Sequence, residues 1–164
     1  MTFLPKDYEV PVTPSNYMKL VDGENRFRIL GDAVVGFEYF TDKDKPVRSK
    51  EMFEETPNIK KDGKVKEFWA FPVFEYKSQG VRILELTQKT IMAPIKAYVD
   101  NAKWGDPTKY DLCVTKSGEG LDTTYQTMAE PPIGEPDDMI KNELAETPIN
   151  LEALFDGGDP FKTK

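Results

Sequence analysis

Three stretches of this 164-residue chain carry the side chains best suited to chemistry: ENRFRIL at 24–30, the cation-rich run 41–66, and EFWAFPVFEY at 67–76. None is a catalytic motif. The chain has no histidine and one cysteine, Cys113, so it offers no imidazole, no zinc-ligand spacing and no internal disulfide. It has neither a glycine-rich phosphate loop nor a serine or cysteine nucleophile motif. The carboxylate pairs Glu54-Glu55 and Asp137-Asp138 fall where the chain reads as loop and tail. No enzyme, metal or cofactor is expected. What remains is non-covalent: planar rings that can stack, and guanidinium and ammonium groups that can hold an anion.

A half-buried strand alternates apolar and polar residues because successive side chains point to opposite sides. Residues 67–76 do not alternate. Phe68, Phe74 and Tyr76 share one face with Ala70 and Pro72; Trp69 and Phe71 share the other with Val73 and Glu75. Either both faces are buried, or one offers its rings to something that is not protein. A small barrel has one interior, so Phe68, Phe74 and Tyr76 are read as filling it, with Trp69 and Phe71 facing outward. In ENRFRIL, Phe27 and Ile29 should point inward and Arg26 and Arg28 outward, and Tyr39 or Phe37 on the next strand could lie beside them. Rings for stacking bases and cations along a phosphate track are the two requirements of a single-stranded nucleic-acid surface. Arg48, Lys50, Lys60, Lys61, Lys64 and Lys66 could close over the bound strand, with Arg82 on the following one. The competing reading makes each ring a core residue and each lysine a solvated charge.

The elements that position these groups follow from the pattern. Gly31-Asp32 separates ENRFRIL from AVVGFEYF, and so short a connection predicts an antiparallel hairpin, with Gly36 marking a bend or bulge. From Lys43 to Lys66 there are eight Lys/Arg and five acidic residues, and Lys61-Asp62-Gly63 is a turn signal. This run reads as a mobile loop or a small β-excursion. Ser78-Gln79-Gly80 turns the aromatic strand into VRILELT. A helix follows on Ile91, Ile95, Tyr98 and Val99, capped by Thr87 or Thr90, with Pro94 requiring a start near Thr90 or a kink. YDLCVTKSG and LDTTYQTMAEP supply the last strands. Trp104 reads as a packing plug and Cys113 as a small buried apolar residue.

The formal charge of −7 is unevenly placed: residues 1–128 carry 19 Lys/Arg against 20 Asp/Glu, and residues 129–164 carry 3 against 9. A near-neutral body can still hold a basic groove. The expected organisation is an extended arm over 1–16, a β-domain over 17–132, and an acidic flexible tail over 133–164. The tail has room for a short helix at 137–146 and an apolar knot at 151–155. With no long apolar run, a soluble, intracellular protein is expected.

About five short strands with a helix before the last pair are the pattern of an OB-fold, a five-stranded Greek-key barrel. Residues 16–40, 67–76, 81–120 and 123–132, above all GENRFRIL, FWAF, ILELTQKTI and WGDPTKYDL, resemble single-stranded-DNA-binding proteins of tailed bacteriophages. The resemblance covers about residues 16–132. It implies an OB-fold that coats single-stranded DNA without sequence preference during phage replication, recombination or repair, in the host cytoplasm. Acidic tails of this class recruit replication partners and compete with DNA; here Phe155, Asp156, Asp159 and Phe161 are the matching residues, although the chain runs on through Lys162-Thr163-Lys164. The alternative from another class is an adaptor that holds replication or host proteins by this tail.

Overall fold

In the computed structural model, which describes residues 3–7, 16–130 and 136–161, seven antiparallel strands form one open, unclosed sheet with two helices. The strands are β1 (Gly23–Ile29), β2 (Val34–Phe40), β3 (Pro46–Ser49), β4 (Lys66–Glu75), β5 (Gly80–Leu86), β6 (Asp111–Ser117) and β7 (Thr124–Ala129); the helices are α1 (Lys89–Asp100) and α2 (Asp138–Glu146). No described helix is long and apolar enough to cross a membrane.

β4 organises the sheet because both its edges are used along most of its length. One edge pairs with β5 from Trp69 to Glu75. The other pairs with β2 over Lys66–Ala70 and with β1 over Val73–Glu75. The expected β1–β2 hairpin therefore does not form: both strands run the same way along one edge of β4. Ile29 faces Val73 and Val34 faces Ala70, so five steps on this edge answer three on β4, and two extra residues are absorbed at the corner. The Leu30 N–H donates to the Pro72 carbonyl at 2.9 Å and carries the ladder into the bend. A Cβ on Gly31 would lie 3.2 Å from the Pro72 ring, which favours glycine at this close approach. β1 also pairs with β6, and β6 with β7. Asn16–Met18 lies against the free edge of β5, with Tyr17 in a parallel bridge to Ile83.

The inner face carries the larger core. Phe27, Ile29, Phe71, Val73, Leu84, Leu86, Leu112 and Val114 meet Ile91, Met92 and Ile95 of α1. Phe27 and Ile29 point inward as the alternation of β1 requires. α1 begins at Lys89, with Gln88 rather than a threonine at its cap, and Pro94 lies inside it. Trp104 packs edge-on between Tyr98 and Tyr110, the plug expected of it. Cys113, expected to be buried, is half-buried.

The outer face of β4 is covered by the C-terminal segment. Residues expected to form a flexible tail carry α2 and a 3-10 helix (Leu151–Asp156). Asp137 caps α2 by accepting from the Ile140 N–H. Leu154 is buried, and it joins Phe68, Ala70 and Ile83, with Leu151, Phe155 and Phe161 around them. Gly36 is paired normally with Phe68 and makes no bulge. Its Cβ would lie 2.6 Å from the Ser49 carbonyl oxygen and 2.7 Å from the Phe155 ring, so the missing side chain makes room for the cover.

Candidate nucleic-acid interface

The run 41–66 adopts the β-excursion. β3 pairs with β2, Thr41 bridges to Ile59, and the Lys60 N–H donates to the Phe40 carbonyl at 2.8 Å. Tyr39 anchors it from beneath: its ring meets Phe53 edge-on at 4.9 Å and its hydroxyl donates to the Pro57 carbonyl at 3.1 Å. Gly63 closes the turn at Lys61-Asp62 by donating to the Lys60 carbonyl. Between this excursion and the outer face lies a groove of about 540 Å³, with Lys60, Lys64 and Lys66 on its walls and Phe40 and Glu38 facing into it. Phe40 is 43% exposed, a ring presented to solvent among lysines. Lys60 pairs with Asp44 at 2.6 Å; Lys64 and Lys66 make no ion pair among the described residues.

Beside the groove runs a row of charge set by register: Arg48 of β3 faces Glu38 of β2, which faces Lys66 of β4. Arg48 donates to Glu38 at 3.1 Å and to Glu85 of β5 at 2.9 Å, with its guanidinium 5.6 Å from the centre of the Phe68 ring. Burial, then the hydrogen bond to Glu85, pushes the Glu38 carboxyl up to about 8 against the pull of Arg48. Near neutral pH Glu38 therefore opposes an anion less than an ordinary carboxylate would, and the groove's three lysines stand beside two further carboxylates, Asp44 and Asp62.

The expected trough of Trp69, Phe71, Tyr39 or Phe37 with Arg26 and Arg28 does not form. Strand parity puts Trp69, Phe71, Phe37 and Tyr39 on the inner face and both arginines on the outer one. Phe71 and Tyr39 are buried and Phe37 is half-buried. Trp69 is half-buried against the core, its ring bordering two recesses of about 300 and 400 Å³ beside Lys96. Arg28, expected at the surface, is buried against Asp111 of β6 at 2.7 Å, and Arg26 meets the other oxygen of the same carboxylate at 2.6 Å. The Tyr76 hydroxyl donates to Asp111 as well. Burial alone would raise the Asp111 carboxyl, but the bonds from Arg28, Arg26 and Tyr76 hold it below the ordinary range. The same neighbourhood, burial first and the Asp111 carboxylate next, pushes the Tyr76 phenol up to about 12.

The remaining cations divide. Lys50 pairs with Glu152 of the C-terminal cover at 2.7 Å and lies 5.4 Å over the Phe155 ring. Lys61 is exposed but does not line the groove. Arg82 folds back toward Gly80 and donates weakly to the Val81 carbonyl. Of the tail residues, Phe155 tilts onto Phe68 at 5.8 Å and Phe161 meets Tyr17 edge-on at 6.2 Å, while Asp156 and Asp159 are exposed. Asp159 caps the turn into Phe161. Of the groups that build the groove, sequence reasoning passed over Phe40 and Glu38. A carboxylate inside the apolar run VVGFEYF was the available signal, since such a residue is buried with a partner or faces a site.

No family model, curated protein or solved structure matches the chain. Among the described residues there is no cluster of metal-ligating side chains either. The groove therefore offers charge and one exposed ring.

Proposed function

We propose that the chain binds single-stranded DNA without sequence preference, holding phosphates on Lys60, Lys64 and Lys66 and stacking a base on Phe40. The observation that carries this reading is the lysine-walled groove with an exposed ring facing into it, on the outer face of the sheet. Flat ring and cation track are the pair that unpaired polynucleotides need, because bases have faces to stack and every nucleotide brings a charge. The resemblance to phage single-stranded-DNA-binding proteins supports the same reading, with protection of DNA in replication, recombination and repair as the role.

Connectivity favours the OB-fold. Taken as the one bent strand they form along β4, β1 and β2 pair with β4 and β6; β4 pairs with β5 and β6 with β7, and α1 lies between β5 and β6. That is an OB-fold's order of pairing short of closure. The place beside β5 where a closing strand would lie in parallel holds Asn16–Met18.

Titration with oligonucleotides at several salt concentrations tests the function. Affinity falls with salt at a log–log slope of about 0.7 per phosphate contacted, and Lys64→Ala with Lys66→Ala lowers that slope by about one contact each. Absence of binding, or binding indifferent to salt, ends the proposal. The acidic C-terminal segment, tied to the body by the Glu152–Lys50 pair, competes weakly with DNA for the cations. Removing residues 133–164 tightens binding at low salt; unchanged affinity removes the competition.

A further inference from the structure

Glu38 is buried, 4% exposed, on the edge of an anion-binding groove, where a fixed negative charge would oppose the ligand. Its surroundings explain how it is tolerated. Arg48 of β3 serves both Glu38 and Glu85 of β5, at 3.1 and 2.9 Å. One guanidinium facing two carboxylates, Glu38 buried and Glu85 half-buried, leaves a surplus negative charge unless one of them takes up a proton. Lys66 of β4 is the register partner of Glu38 on the other side. From the excursion, Lys60 and Lys64 face the groove together with Asp44 and Asp62. Tyr17, on the segment beside β5, interacts with Arg48 and Glu85.

A phosphate entering the groove brings negative charge close to this carboxyl and favours its neutral form. By reciprocity, the neutral form favours the phosphate equally. On the reading of function given above, we propose that the groove takes up its polyanion together with a proton on Glu38, so that pH tunes affinity through this one carboxyl. The proton comes from solvent and returns to it on release; no bond of the DNA changes.

Calorimetric titration with unlabelled oligodeoxyadenylate, whose bases do not ionise near neutrality, tests this in two buffers of different ionisation enthalpy at constant ionic strength. From about pH 6.5 to about pH 9 the wild-type affinity falls about three- to tenfold, and the heat differs between buffers in the sense of proton uptake. Glu38→Gln, which cannot ionise, loses both the fall in affinity with pH and the buffer dependence. Glu85→Gln, a second variant, leaves Glu38 alone with Arg48 and moves the fall in affinity to lower pH. Wild-type binding that responds to salt but not to pH overturns this inference and leaves the functional reading standing. No binding at any pH overturns both.

Discussion

The two faces of β4 are both apolar and both covered, but by different means. On the inner face, Phe71 and Val73 meet strands β1, β5 and β6 and helix α1 in one continuous core. On the outer face, Phe68 and Ala70 are covered by a segment more than 80 residues later in the chain, through Leu154 and Phe155. The inner cover is part of the sheet's own fold; the outer cover is an added piece that supplies none of the strand pairings. An aromatic strand is thus no sign of an exposed stacking platform. On this chain the ring offered to solvent in the groove is Phe40, at the end of β2.

The largest effects should come from the inner core and from the buried charge cluster. Phe71→Ala should cost about 3–5 kcal/mol of unfolding free energy in urea. Asp111→Ala should cost a similar amount, about 3–5 kcal/mol, because it takes the carboxylate from buried Arg28. An Asp111→Ala protein as stable as wild type would mean that the cluster carries no structural weight. The outer cover should be weaker. Gly36→Ala should cost about 1–3 kcal/mol by overpacking against Ser49 and Phe155, and should speed proteolysis of residues 136–161 before the sheet unfolds. Simultaneous cleavage of sheet and cover would show that the two faces form one cooperative unit.

DNA binding sharpens the same contrast. Phe40→Ala should weaken oligonucleotide binding by about 1–3 kcal/mol, the worth of one stacked base, whereas Trp69→Phe, on the other face, should leave affinity within about twofold. The reverse result would move the DNA to the recesses beside α1.

The smallest effects concern protons and stability. Asp111 has a lowered folded-state pKa, so the stability it provides is present above the ordinary aspartate range and is lost as pH falls through and below it. Glu38 works with the opposite sign. The unfolded carboxyl ionises near 4.5 while the folded one holds its proton to about 8, so stability declines as pH rises between these values. Urea midpoints measured across this window should fall for wild type and stay flatter for Glu38→Gln.

Local signals carried much of the fold. Alternation placed Phe27 and Ile29 inside, Ser78-Gln79-Gly80 marked the β4–β5 turn, and helical spacing found α1. Less visible was anything decided by partners far away in sequence. Arg28 looks like a surface charge until Asp111, 83 residues on, supplies its carboxylate. The parity of β4 could not be read because period-two reasoning needs one polar face, and the distant cover allows both to be apolar. The β1–β2 connection resembles a hairpin because length alone does not say whether the chain reverses or turns a corner. Of the groove, the lysines were visible in composition; Phe40 and Glu38 came together with them only once the excursion folded back over β2.

The two surplus residues at the corner after β1 set a rule of parity for everything downstream of it. An even excess returns Val34 to the ladder with its side chain on the outer face, so Glu38 and Phe40 open on the groove and Tyr39 on the interior. Removing one residue from 30–33 would turn β2 over and send a carboxylate into the core while expelling a tyrosine; removing two would only flatten the bend. Length variation tolerated here should therefore come in pairs.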